Sequence, residues 1–318
     1  MTSNRHQSLR PERVLLVESV LRDGLQSLAP FQLGAVTPEW SANLIARLCD
    51  AGVAAIEVTS FVDPRRLPCF GAAETLAALL PNPGDPRFVV LAPNLRGLER
   101  AAAAGFRNVR AMLTASEAYE QRNVGRSVNE SLAEVERMAR RADEVGVRLI
   151  GGIGTAFGCP IEGAIDARRV ATIAEKLAAA GIAELVLGDT YGMAKPHQIS
   201  DVVAAVRAAG QFTLGLHLHD RHGFAAANVI AALAAGVGQF DSALLGMGSG
   251  IVIDDPTPHG NLATEDIACL MTLLDEPTGI DLARLFELAI DVSERIGIPH
   301  RSIALQRRNA WTPGPHGA

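Results

Sequence analysis

Lysine is nearly missing from this chain: Lys176 and Lys195 stand against 27 arginines. Lys176 falls inside a helical pattern and Lys195 on a loop, so neither suits an imine-forming aldolase, which needs a lysine at the substrate. Cysteine is also scarce. Cys49, Cys69, Cys159 and Cys269 are scattered without a C-x-x-C spacing, which disfavours both a disulfide framework and a zinc–thiolate site. The net charge of −6 contains no basic block, so nucleic acid is not an expected partner. No apolar run reaches membrane-spanning length, and the opening Met1-Thr2-Ser3-Asn4-Arg5-His6 lacks a signal peptide's hydrophobic centre. No membrane association is expected, and the cytoplasm is the expected location. A glycine-rich phosphate turn is missing as well. The turn after the first apolar run reads Leu21-Arg22-Asp23-Gly24-Leu25-Gln26, which argues against a doubly wound dinucleotide-binding sheet.

What is present is regular. With 318 residues, 48% apolar and 20% charged, the chain can bury a large core. Short apolar runs at 14–18, 54–59, 88–91, 109–113, 147–152, 184–187, 213–219 and 240–245 read as strands. Helical patterns fill the gaps at 38–51, 72–80, 95–104, 128–145, 166–180, 196–209 and 225–235, and two more follow at 264–274 and 281–296. Eight strand–helix alternations predict an α/β fold, a (β/α)8 TIM barrel. The expected domain is a single barrel over 14–300, between mobile tails at 1–13 and 301–318.

Catalysis in such a barrel belongs to the C-terminal ends of the strands. Those ends supply Arg22, Asp23 and Gln26, then Glu57, Thr59 and Ser60, then Thr114, Thr155 and Asp189, and finally His217, His219 and Asp220. Asn261 follows the eighth strand. His217 and His219, two apart on a strand, point to one face while Leu216 and Leu218 pack the other way. Asp23, His217, His219 and Asn261 together make an oxygen/nitrogen set with one negative charge. That set suits an octahedral divalent cation, Mg²⁺ or Mn²⁺, with two positions left for a chelating substrate. Arg22 would neutralise charge building on a substrate oxygen, with Glu57 holding its guanidinium; a buried structural pair is the other reading. Asp189 is open to three roles: base, orienter of a histidine, or cap of the following turn.

These blocks resemble the 3-hydroxy-3-methylglutaryl-CoA lyases, and the resemblance runs from about Val14 to Ile296. Leu21-Arg22-Asp23-Gly24-Leu25-Gln26 is similar to the first-strand motif of the wider metal-dependent Claisen and aldol barrels. Ile56-Glu57-Val58-Thr59-Ser60-Phe61-Val62, Phe157-Gly158-Cys159-Pro160-Ile161-Glu162-Gly163 and Gly260-Asn261-Leu262-Ala263-Thr264-Glu265-Asp266 resemble the lyase branch in particular. The resemblance implies Asp23, His217, His219 and Asn261 as metal ligands, Arg22 as stabiliser of an enolate oxygen, and Glu57 as its positioning partner. It implies a retro-Claisen cleavage of a 3-hydroxyacyl-CoA to acetyl-CoA and a keto acid, with a divalent cation the one cofactor. It also implies a homo-oligomer, a dimer or larger.

Two departures stand out. The lyases carry a cysteine in the loop after strand eight, and here residues 246–260 have none. Asp254, Asp255 and His259 stand there instead, with His259 or Asp254 the candidate proton donors. Beyond the histidine pair the chain places Arg221 and His222, and Arg221 can grip an additional carboxylate or sit solvated at the rim. Gln26, Thr155, Arg22 and Arg221 are the expected substrate contacts. Arg65 and Arg66 could meet nucleotide phosphates. A related metal-dependent aldolase or acyl-CoA condensing enzyme is the alternative activity, and a non-catalytic barrel the third.

Overall fold

A computed structural model describes residues 13–248, 260–299 and 301–308. Eight parallel strands close a barrel, each paired with the next in sequence. They are β1 (Leu15–Glu18), β2 (Ala55–Ser60), β3 (Phe88–Leu91), β4 (Asn108–Thr114), β5 (Arg148–Gly154), β6 (Glu184–Asp189), β7 (Thr213–Leu218) and β8 (Gln239–Ser242). β8 closes onto β1 in register, with Leu15 opposite Gln239 and Glu18 opposite Ser242. The expected TIM barrel is what the chain forms.

Parity along each strand divides the core. On β7, Leu214, Leu216 and Leu218 are buried against the helical layer, while Gly215 and His217 face inward. The longest helix, Val128–Val145, begins at a capping box in which Ser127 and Glu130 satisfy each other's backbone amides, and it ends at Gly146 with φ 66.

The structure departs from the sequence expectation where the site lies. β8 stops at Ser242 rather than running to 245, because Leu244–Gly246 turns as a 3-10 segment in which Leu245 takes φ 62. Arg22 and Asp23 sit on a buried π-helical turn, Val20–Gly24, not on an open loop. A helix at Glu117–Val124 and a small hairpin pairing Gly158–Cys159 with Gly163–Ala164 interrupt the β4 and β5 connections. Residues 301–308 lie on the barrel: Ser302 Oγ donates to Asp266 Oδ1 at 2.8 Å, and Leu305 is buried. All four cysteines are unpaired. Among the described residues, no helix is long and apolar enough to cross a membrane.

Candidate active site

The π-helical turn is built by a buried carboxylate. Glu18, the last residue of β1, accepts from the Val20 amide at 2.8 Å and, beyond the end of the neighbouring β8, from the Leu244 amide at 3.0 Å. One side chain thus ties the turn carrying Asp23 to the segment after β8. Such single π turns commonly aim a side chain at a functional site. Arg22 Nε donates to Glu57 Oε2 at 2.6 Å and Nη1 to Asp23 Oδ1 at 2.5 Å. Two of its three nitrogens are held, and the residue lines a cavity.

The histidines meet Asp23 from β7, one strand beyond β8 in the closed barrel. His217 Nε2 and His219 Nε2 lie 3.8 Å and 3.6 Å from Asp23 Oδ2, and 3.2 Å from each other. These three residues form a buried cluster able to hold a metal ion. Asn261 joins them because its backbone bridges that of His219, and its Nδ2 donates to Asp23 Oδ2 at 2.7 Å.

The donor atoms fit a hard cation. Asn261 Oδ1 is buried without a hydrogen-bond donor, and the two Nε2 atoms face each other and a carboxylate oxygen in a largely buried site. Buried acceptors that converge with too few donors, Asn261 Oδ1 among them, are an expensive arrangement that a cation satisfies. Charge agrees. Burial alone would raise the Asp23 carboxyl, but Arg22 and then the two histidines hold it well below the usual carboxylate range. Burial lowers the His219 imidazole, against the pull of Asp23, which favours the neutral form a metal ligand must have.

The site opens on a cavity of about 530 Å³, lined among others by Arg22, Asp23, Gln26, Ser60, Thr114, His217 and His219. Its volume is within the usual range for a small-molecule site. Arg66 reaches this cavity and donates to the Asn123 carbonyl, whereas Arg65 is exposed and paired with Asp63.

Two expected substrate contacts, Thr155 and Arg221, fall elsewhere. Thr155 does not line the cavity; it is fully buried at φ 50, its amide donating to Thr190 Oγ1 at 2.8 Å. Arg221 does not line it either, because its guanidinium stacks 4.9 Å from the Tyr191 ring centre. Asp189 caps the turn behind β6: Oδ1 accepts from Met193 N at 2.8 Å and Oδ2 from Ala194 N at 3.1 Å. Burial pushes its carboxyl up to about 6 despite those bonds. Asp254 and His259 lie outside the described residues.

Comparison with known proteins identifies the family. The family model described as HMGL-like matches residues 13–292. The chain belongs to the HMGL-like family. An (R)-citramalyl-CoA lyase of Chloroflexus aurantiacus is 38% identical over 299 residues, covering 91% of this chain and 92% of its own length. A hydroxymethylglutaryl-CoA lyase of Pseudomonas mevalonii is 35% identical over 294 residues, covering 91% of this chain and 95% of its own. An HMG-CoA lyase from Acinetobacter baumannii, solved in complex with coenzyme A and 3-methylmalate, superposes with a TM-score of 0.87 at 30% identity, covering 99% of this chain and all of that one. The carbon–carbon lyase class expected from the sequence is borne out.

This HMGL-like site also contains residues that reading only strand ends misses. Arg110 and Asp241 sit in mid-strand on β4 and β8 and join the network behind His217. Gly248, at φ 115, touches the cluster so closely that a Cβ would lie 2.6 Å from Asp23 Oδ2 and closer still to Asn261 Nδ2. The signal for Gly248 was present in the glycine spacing of 246–250, and for Arg110 in a lone charge inside an apolar run.

Proposed function

We propose that the chain cleaves a 3-hydroxyacyl-CoA of the 3-hydroxy-3-methylglutaryl or citramalyl type, a tertiary alcohol bearing a distal carboxylate, to acetyl-CoA and a keto acid. One observation carries this reading: Asp23, both imidazoles and Asn261 converge beside Arg22 at one end of a cavity sized for a small acyl group. The names of the relatives at 38% and 35% identity support the substrate class, and a coenzyme A complex of a similar barrel supports the thioester.

Asp23, His217, His219 and Asn261 would hold Mg²⁺ or Mn²⁺. When bound there, such a cation would supply Lewis acidity that eases loss of the proton from the substrate's 3-hydroxyl. The protein's own groups do the rest. Arg22, its Nε fixed by Glu57, presents positive charge to the thioester oxygen as the C2–C3 bond breaks and an enolate forms. His217 keeps its Nδ1 side on Asp241 at 3.2 Å, which leaves Nε2 aimed at the cluster. Gln26 lines the same cavity and offers an amide to the acyl group's polar end. Asp189 shapes the wall behind β6 through its two amide contacts. The loop without the family's cysteine bears Asp254 and His259 for returning a proton to the departing enolate.

The test is a panel of 3-hydroxyacyl-CoA thioesters with Mn²⁺ or Mg²⁺, products read by mass spectrometry. Acetyl-CoA should appear with at least one branched substrate, vanish with chelator, and be lost in Asp23→Ala. No acetyl-CoA from any member of the panel would refute the assignment, and thiol release from acetyl-CoA plus a 2-oxo acid would indicate condensation instead.

A further inference from the structure

Barrels of this kind fill their interior with branched aliphatic side chains. Here Val89, Ile150 and Val186 form only a small apolar cluster of their own. Arg110, reaching from the middle of β4 and 1% exposed, occupies space that apolar side chains could fill. Its Nη1 and Nη2 fork onto Asp241 at 2.5 Å and 3.3 Å, and Nη1 also lies 3.5 Å from Glu57 Oε1. Each of those carboxylates also contacts a residue of the site, Glu57 through its other oxygen and Asp241 through the same Oδ2. Glu57 Oε2 holds Arg22 Nε, and Asp241 Oδ2 meets His217 Nδ1, its register partner on β7. Desolvating such a cluster costs more than apolar filling of the same volume, so barrel stability does not account for it.

We propose that Arg110 is a positioning residue that couples the two halves of the site, fixing His217 as its Nδ1–H tautomer through Asp241 and fixing Arg22 through Glu57. The reasoning is about donors and acceptors. Asp241, with the guanidinium forked onto it, is an acceptor only, so the imidazole nitrogen facing it must donate. In the neutral imidazole that leaves Nε2 without a proton, its lone pair facing Asp23 Oδ2 and His219 Nε2. Neutral imidazoles bind metal through that lone pair, and partners of this kind behind a ligand set ring orientation and basicity. Arg110 borders the cavity but is only 1% exposed, and it acts through the two carboxylates that its guanidinium meets. The metal-facing part of the inference rests on the cation reading above.

Two measurements on the full chain test it: the histidine tautomers of metal-free protein by ¹⁵N NMR, with His217 assigned from His217→Gln, and Mn²⁺ affinity by EPR titration. Wild type should show His217 protonated on Nδ1. Arg110→Met should shift that tautomer and weaken Mn²⁺ binding by about 10- to 100-fold, the usual cost of losing a partner behind a ligand. Arg110→Lys, which retains the charge but not the fork, should recover part of the affinity, a rescue that a merely space-filling role would not give. If Arg110→Met does not fold, Asp241→Asn carries the same two readouts with the same expected directions. A wild-type His217 protonated on Nε2, or a folded Arg110→Met or Asp241→Asn with unchanged tautomer and affinity, would overturn the coupling. Wild type that binds no Mn²⁺ would overturn the cation reading itself, and the tautomer spectra would still decide the role of Arg110.

Discussion

Arg22 shows what one side chain does here that its type alone does not guarantee. An arginine could be held by Glu57 for purely structural reasons, yet this one also lines the cavity and lies against Asp23. Burial would lower its proton affinity, but Glu57 and then Asp23 raise it, so the positive charge is secure. If that charge is used on the developing enolate rather than on the ground state, Arg22→Met should reduce kcat by about 10²- to 10³-fold with little change in KM, the range seen on removing one preorganised donor. Steady-state kinetics on the cleaved thioester decide it. An equal rise in KM with kcat intact would assign Arg22 to uniform substrate binding instead.

Among the elements, the segment that follows β8 is the most demanding. Leu245 at φ 62 and Gly248 at φ 115 bend the backbone so that the Met247 carbonyl accepts from Asn261 Nδ2 at 2.7 Å. Glycine at 248 answers a steric need as well as a conformational one, because a Cβ would enter the space between Asp23 and Asn261. Gly248→Ala should therefore abolish Mn²⁺ binding and cleavage while the cooperative thermal unfolding of the barrel remains. Retained Mn²⁺ affinity in that variant would show that the segment can move away at little cost. Gly210 makes the contrast. It follows a helix, where its sequence position suggests a left-handed cap, but it is extended at φ −178, so the next strand begins without such a cap.

Across the whole molecule, buried acids link stability to pH. Burial, only partly offset by backbone amides, pushes Glu265 up from 4.5 to about 8, and Glu18 from 4.5 to about 7. An acid that binds its proton more tightly when folded stabilises the fold fully below its free pKa, and this contribution is lost as pH rises through the folded value. Stability should thus fall from about pH 5 to pH 8. Glu265→Gln, which keeps an oxygen for the Leu245 amide at 3.1 Å, should flatten that slope in denaturant melts taken across the window. An unchanged slope would mean that Glu265 is already ionised in the folded state across that window. Glu18 is a less informative target, because its carboxylate also accepts from Thr264 Oγ1 at 2.6 Å and from the Val20 amide on the turn bearing Asp23.

The strand–helix rhythm and the positions of Asp23, His217, His219 and Asn261 were legible in the sequence because parity and strand ends are local properties. Two residues on one strand share a face whatever surrounds them, and alternation of eight units admits few other closed folds. Asp189, Thr155 and Arg221 show where locality ends: their sequence positions put them near the mouth, but the turn, the positive φ and the Tyr191 ring that occupy them are tertiary facts. Arg110 and Asp241 lie 131 residues apart, and their pairing exists only because barrel closure brings β4 and β8 to face across its interior. The sequence by itself determined which side chains could do chemistry. Closure of the barrel decided which of them meet, because distance through space, not along the chain, sets charge, desolvation and hydrogen-bond partner.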